Sequence, residues 1–250
     1  MDLGIAGRRA AVAAGSAGLG LASARALVAA GARVAICGRD RSRLERALAS
    51  LSGGEGEPVG IEADLSTVGG AEGFLADATD ALGGIDILVP NAGGPPPGTF
   101  ASTDIAAYGP ALELNLLDGG HVQGGRAAHA IPGLGPGGGD HVHFRPSAHR
   151  RVDLSNTARA GVTGFLKTLA LEVAGDGVTV NTVQPGSHAT DRMNSLHGGD
   201  LTAVARATPT GTVGRAEDFG AVVALLCSAH ARFITGASLP VDGGAHKGLQ

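Results

Sequence analysis

The chain has 250 residues, 43% of them hydrophobic and 17% charged, with a formal net charge of -4. That length suits one α/β domain with a large buried core, and the composition is that of a globular rather than a disordered chain. There is no long run of Lys or Arg and no apolar run long enough to span a bilayer, so no nucleic-acid or membrane partner is expected.

Residues 1–9 contain no signal-peptide core. Cys37 and Cys227 fall in separate apolar segments without metal-ligand spacing, which predicts two reduced thiols in a cytoplasmic protein. Residues 10–14 predict a short buried strand, 15–20 a glycine-rich turn, and 21–30 an Ala- and Leu-rich helix that Gly31 ends. A second strand follows over 33–37, then a charged amphipathic helix over 41–50, a third strand over 59–63 and a third helix over 71–82. Residues 85–89 predict a fourth strand that runs into Pro90-Asn91-Ala92-Gly93. Helices over 105–117 and 157–174 come next, then a strand over 178–183, a helix over 217–228 and a last strand over 237–241. Continuous apolar strands alternating with helices mean a parallel sheet covered on both faces. The expectation is a three-layer, doubly wound α/β sheet of the Rossmann type, forming a single domain over 1–250. Within it, residues 187–215, with Met193, Leu196 and several Gly and Thr, predict a mobile substrate loop of mixed polarity.

The turn after the first strand carries the strongest signal. Gly15, Gly18 and Gly20 let the backbone turn tightly and approach a pyrophosphate, and the helix that opens there aims its free N–H groups and dipole at that anion. A strand before the turn and a helix after it form the context a dinucleotide site requires. At the end of the second strand, a carboxylate would hold the ribose hydroxyls of NAD. The chain has Gly38-Arg39 there instead. Arg39 offers a planar cationic fork suited to a ribose 2′-phosphate, which favours NADP(H) as cofactor with NAD(H) as second choice. The alternative is a solvated surface arginine in a basic stretch with Arg41 and Arg43.

Further motifs follow in order: Asp64-Leu65 after the third strand, Asn91-Ala92-Gly93 after the fourth, and Leu114-Asn115-Leu116 in the next helix. Pro185-Gly186 follows the sixth strand, and the C-terminal region reads ITGASLPVDGG. With the AAGSAGLG turn, these make the chain resemble the short-chain dehydrogenase/reductase family, close to its bacterial 3-oxoacyl-carrier-protein reductase-like branch. The resemblance implies reduction of a ketone or oxidation of a secondary alcohol, a small-molecule substrate, and a homodimer or homotetramer built through the helices over 105–117 and 157–174. It also implies that Gly15, Ser16, Gly18, Leu19 and Gly20 form the phosphate turn and that Asp64 and Leu65 flank the adenine. Asn91, Ala92 and Gly93 would line the cofactor ribose, Pro185 and Gly186 would sit beside the nicotinamide, and Thr190 would contact its carboxamide. Asn115 would position a water near the catalytic Lys. The family's turn normally reads Thr-Gly where this chain has Ala13-Ala14.

The family uses a Tyr as general acid, a Lys four residues later, and an upstream Ser that grips the substrate oxygen. Counting back from AGVTGFLKTLA puts Ser155 and Arg159 at the Tyr and Lys positions. A Ser hydroxyl is far less acidic than a phenol, and Arg binds ribose hydroxyls but is effectively never deprotonated. The fifth strand, expected as an apolar run ending in Ser, is sought in Asp140-His-Val-His-Phe-Arg-Pro-Ser147, which makes Ser147 the candidate third residue. Residues 118–151 also hold His121, His129, His141, His143 and His149, with a PGLGPGGGD run that cannot be regular helix. His141 and His143 alternate on a strand face, but no carboxylate or Cys completes a set, so no metal is expected. Two readings of this segment stand side by side: a diverged active site in which a His supplies the proton, or a coding artefact of two compensating frameshifts. The abrupt return to family-like sequence at Leu154-Ser155 supports the second. For the whole chain an oxidoreductase leads, and a catalytically weak or inactive nucleotide-binding module is the alternative. A non-redox lyase on the same fold is third, and the intact glycine-rich turn argues against it.

Overall fold

A computed structural model of the chain describes residues 1–52, 57–91, 102–109, 128–132 and 153–247, and gives the backbone only for 128–132 and 153–160. β1 (Arg9–Val12), β2 (Arg33–Gly38) and β3 (Val59–Glu62) alternate with α1 (Gly18–Ala29), α2 (Arg41–Leu51) and α3 (Val68–Leu82). β4 (Ile87–Val89) and β5 (Ala128–Pro132) precede the long α4 (Asp153–Val173) and β6 (Val180–Pro185). Beyond β6 come β7 (His188–Ala189), α5 (Asp191–Leu196), α6 (Thr202–Ala207), β8 (Gly214–Arg215), α7 (Ala216–Leu226) and β9 (Ser238–Val241).

Seven strands form one sheet in the order β3-β2-β1-β4-β5-β6-β9, and every neighbouring pair is parallel. The chain winds outward from β1 to β3, then returns to lay β4 on the other side of β1. That reversal opens a crevice at the carboxyl ends of β1 and β4, where ligands bind in open sheets of this type. A separate two-stranded pair, β7 with β8, joins the two ends of the 187–215 segment.

The helix boundaries follow from capping. Thr67 accepts a hydrogen bond from the Gly70 N–H at 3.1 Å, so α3 starts at Val68, ahead of the apolar run that begins at residue 71. Asp40 does the same for α2 through the Arg43 N–H at 2.8 Å. Gly31 and Gly83 lie just past α1 and α3 with φ of 84° and 77°, the left-handed conformation that releases the last carbonyls.

Apolar side chains fill both faces of the sheet. On one side Ile5, Leu27, Val34, Ile36, Phe219 and Val223 pack between β1, β2, α1 and α7. On the other, Cys37, Phe74, Ala78, Leu82 and Leu88 pack under α3. Each such large side chain contributes about 1.5–3 kcal/mol by leaving water. Where the strands enter, the Arg9 guanidinium spans β1 and β4: Nε donates to Asp86 Oδ2 at 2.8 Å and a terminal nitrogen to Oδ1 at 2.6 Å. Arg9 also holds the Asp86 carboxyl below the usual carboxylate range, chiefly by that hydrogen bond.

One expectation needs correction. The fifth strand is expected over 140–147, which lies outside the described residues. Ala128–Pro132 fills the slot, with Leu88 opposite His129 and Val183 opposite Pro132. The gap between β4 and β6 demands an extended segment of the right length more than it demands an apolar alternation, and Pro132 ends the run because it has no N–H for the ladder. Ser147 therefore does not terminate this strand, and it lies outside the described residues. Of the helix expected over 105–117, residues 105–107 form one 3-10 turn, and those beyond 109 lie outside the described residues. The long helix expected from 157 begins at Asp153.

α1 and α7 cross at Gly220, where an added Cβ would collide with the Ala22 carbonyl. Gly220→Val should therefore lower stability by about 1–3 kcal/mol through overpacking. Urea unfolding checks this, and a variant as stable as the parent would show that the helices can separate without cost.

Candidate cofactor site

β1 leads into the crevice through Ala13, whose N–H donates to the Val89 carbonyl at 3.0 Å. The chain then turns at Ala14, the one non-glycine among the described residues with a positive φ, at 45°. This strained residue is held at both ends. Its N–H donates to Cys37 Sγ at 3.3 Å, and its carbonyl accepts from Asn91 Nδ2 at 3.4 Å. Burial pushes the Cys37 thiol up to about 12, so it meets that N–H as a neutral, weak acceptor.

The three glycines of the turn serve different needs. A Cβ on Gly20 would collide with the Ala14 carbonyl and stand 2.7 Å from Asn91 Nδ2. One on Gly15 would lie 2.8 Å from the Ile36 Cβ. Gly18 has open space around it, with Thr190 Cγ2 nearest at 3.8 Å, but its φ of 56° favours glycine. Gly15 and Gly20 thus let β1, β2 and α1 close up, and Gly18 sets the direction of the helix.

α1 begins at this turn with an unusual N-terminus. Among the described residues no side chain caps it at Ala17, and its first turn holds no acidic residue. Its first N–H groups are left for an anion. Beside them, Ser16 rests against Gly38, where a Cβ would be 2.6 Å from Ser16 Oγ. Arg39 follows directly and is exposed, and among the described residues it makes a loose contact to Asp64 at 3.8 Å. The Ser66 N–H, at 3.0 Å, is the main group that holds the Asp64 carboxyl below its ordinary range, and Arg39 adds a minor share. Leu65 is half-buried beside it. The arrangement fits a dinucleotide phosphate: a helix N-terminus that no described side chain caps, a serine hydroxyl, and a guanidinium in loose contact with Asp64.

Across the crevice, Pro185 and Gly186 are buried at the end of β6. The Gly186 N–H donates to the Val241 carbonyl at 3.0 Å, and a Cβ there would stand 2.7 Å from Asp242 Cβ. Thr190 caps α5 by accepting from the Met193 N–H at 3.3 Å. Thr190 also lies against Gly18, so the base of the 187–215 segment and the phosphate turn are neighbours.

The structure thus gathers Gly15, Ser16, Gly18, Leu19, Gly20, Asn91 and Thr190 around one turn, with Arg39 and Asp64 at its rim. Ala92, Gly93, Asn115 and Ser147 lie outside the described residues, as do His121, His141, His143 and His149. Ser155 and Arg159 lie one turn apart on the backbone of α4. Among the described residues no group of three His, Cys, Asp or Glu could hold a metal, and no helix is long and apolar enough to cross a membrane. Two residues beneath the site escaped sequence reading. Cys37 looked like any apolar strand residue. His188 gave one signal, the unusual Ser187-His188-Ala189 between Gly186 and Thr190.

A family model described as enoyl-(acyl carrier protein) reductase matches residues 13–246. The 3-oxoacyl-[acyl-carrier-protein] reductase of Vibrio cholerae is 32% identical over 199 residues, 75% of this chain and 77% of that protein. The crystal structure of L-sorbose reductase from Gluconobacter frateurii, complexed with NADPH and L-sorbose, is 26% identical with a TM-score of 0.85 and covers 100% of both chains. A short-chain oxidoreductase from Pseudomonas aeruginosa PAO1 containing an atypical catalytic centre, solved in its apo form, is also 26% identical, with a TM-score of 0.84 and 100% coverage of both chains.

Ala14 offers a direct test of the turn. A left-handed alanine costs about 1–2 kcal/mol. The extra chain entropy of a glycine returns about 0.4–1 kcal/mol of that. Ala14→Gly should therefore raise stability, by about 0.5–1 kcal/mol in chemical unfolding. A loss of stability would show that the left-handed turn is not formed.

Proposed function

The chain belongs to the short-chain dehydrogenase/reductase family, and from that premise we propose that it is an NADP(H)-dependent oxidoreductase interconverting a ketone and a secondary alcohol on a small molecule. The observation that carries the cofactor choice is the rim of the turn. Ser16 lies against Gly38 at the end of β2, and Arg39 follows it, with no carboxylate at that position to hold a ribose 2′-hydroxyl. The guanidinium pairs with a 2′-phosphate as a planar, charge-assisted donor, and its contact to Asp64 is loose enough to yield. The NADPH bound by the sorbose reductase supports the same choice. When bound, the nicotinamide supplies or accepts the hydride. This chain's part is to hold the pyrophosphate at the α1 N-terminus, keep Gly186 close beside Asp242, and manage a proton from α4.

That last task is where the chain departs from its family. Ser155 stands at the acid's position and Arg159 at the position of the lysine that holds the nicotinamide ribose. Arg159 keeps the positive charge for the ribose, but a serine hydroxyl cannot readily supply a proton at neutral pH. These two residues favour a second reading, a nucleotide-binding homologue with weak or no turnover. The atypical centre of the Pseudomonas relative supports a working enzyme with altered groups. Exposed Phe165 and Leu171 on α4, with Phe233 and Leu239 near the C-terminal strand, support assembly into a dimer or tetramer.

Titration with NADPH and NADH, followed by nicotinamide fluorescence, tests the cofactor reading. NADPH should bind more tightly, and Arg39→Ala should weaken NADPH about 10–100-fold, the loss of a charged hydrogen bond, while leaving NADH nearly unchanged. Equal loss for both cofactors would remove Arg39 from the phosphate. The second test installs the missing acid. Ser155→Tyr with Arg159→Lys should raise ketone reduction about 100-fold or more, the usual worth of a positioned acid, without altering NADPH affinity. An unchanged rate would place the proton donor elsewhere.

A further inference from the structure

His188 is a buried imidazole outside the cofactor contacts, 5% exposed, at the entrance to the 187–215 segment. Three elements close on it. Its ring stands edge-on to Phe219 of α7, with centroids 5.4 Å apart and planes at 77°. Its Nδ1 lies 3.1 Å from the Gly186 carbonyl of the β6 end. A carbonyl only accepts, so Nδ1 carries the proton and the neutral ring's Nε2 is an acceptor. Gly214 of β8 covers the other edge so closely that a Cβ there would lie 2.7 Å from Cδ2 and 2.9 Å from Nε2. The two residues are also paired in the β7–β8 ladder, and the Gly214 N–H donates to the Ser187 carbonyl at 2.9 Å. One side chain therefore joins the start of the segment, its return strand and the Gly186 turn.

We propose that His188 is a positioning residue that latches the 187–215 loop and the Gly186 turn, closed while the ring is neutral and released when it is protonated. Protonation would put an N–H on Nε2, which among the described residues meets no acceptor beside Gly214. A buried donor without a partner is unfavourable, so the charged ring favours the open segment, where water can reach that N–H. The charged groups around the ring are Asp218 of α7 and Asp242 after β9, which favour the charged form, and Arg215 of β8, which leans on Glu217 at 3.8 Å and Asp218 at 4.0 Å. Burial outweighs the two carboxylates and holds the imidazole below its ordinary 6.5. The closed state is thus fully present above 6.5 and is lost as pH falls through the lowered value. The latch rests on the hinge alone; only its consequence for the cofactor rests on the reading of Pro185–Gly186 as the nicotinamide wall.

Hydrogen–deuterium exchange of the unliganded protein between pH 7.5 and 5.5, corrected for intrinsic chemical rates, tests it. Amides across 187–215 should open several-fold more at the lower pH, with a ceiling of about tenfold per pH unit for one proton, while β1 and β4 amides stay protected. His188→Asn keeps a donor for the Gly186 carbonyl but does not titrate, so its loop should be protected at pH 7.5 and lose the pH response. A parent loop indifferent to pH, or an Asn variant with the parent's response, overturns the latch. Should the Asn variant fail to fold, nitrogen NMR of the parent ring decides. A neutral Nδ1–H tautomer that titrates together with the Gly214 amide supports the latch, and the Nε2–H tautomer or unlinked midpoints overturn it. NADPH affinity at pH 7.5 reads the cofactor proposal separately.

Discussion

The cofactor side of the molecule depends on how closely the backbone of α1 can approach the end of β1. Gly20 sits where any side chain would meet the Ala14 carbonyl, and Gly15 where one would meet Ile36. Those contacts bring the helix N-terminus to the sheet's crevice, where no described side chain caps its first N–H groups. A single added methyl at either point would push the helix away from β1 and rotate those donors off a bound phosphate. The sheet order supplies the crevice, and the two glycines supply the distance.

Ala14 shows that the turn is held by its surroundings rather than by its own preference. Glycine would adopt the φ of 45° freely. Alanine is kept there because its N–H reaches Cys37, its carbonyl reaches Asn91, and the strand behind it is tied to β4 through Val89. Strain of about 1–2 kcal/mol is small beside the burial of Val12, Ile36, Ile87 and Val89 around it. The same economy ties the far wall of the crevice to its near wall. Thr190 meets Gly18, Gly186 meets Asp242, and His188 meets both Gly186 and Gly214, so the phosphate turn and the 187–215 segment share one frame.

Much of this frame was legible in the sequence because it is written in local rules. Apolar runs such as Ile87–Val89 mark strands buried on both faces, and the glycines of the first turn mark a close approach. Helix starts were misplaced where a cap, not an apolar run, decides them, as Thr67 does for α3. β5 is not legible locally because its place is fixed by neighbours far along the chain: Leu88 and Val183 pair with Ala128–Pro132, whose own alternation is weak. The role of His188 is hidden from local sequence for the same reason. Nothing in its local sequence says that Phe219 and Gly214, both more than twenty residues away, enclose its ring.

The proposed function places binding and chemistry on separate parts of the chain, so one can persist while the other changes. The first turn, Arg39 and the β6 end are built by β1, β2, β6 and their neighbours, elements distinct from α4, which carries Ser155 and Arg159. An arginine at the family's lysine position keeps a cation for ribose hydroxyls while giving up a group whose pKa burial can tune. A serine at the tyrosine position gives up acidity and reach together. In the proposed reading, the turn, Arg39 and the β6 end keep the family's demands for a dinucleotide, while the positions that would move the proton have changed. On the proposed alignment, that division lets a chain match its family from residue 13 to residue 246 while carrying Ser155 and Arg159 where the family has its Tyr and Lys.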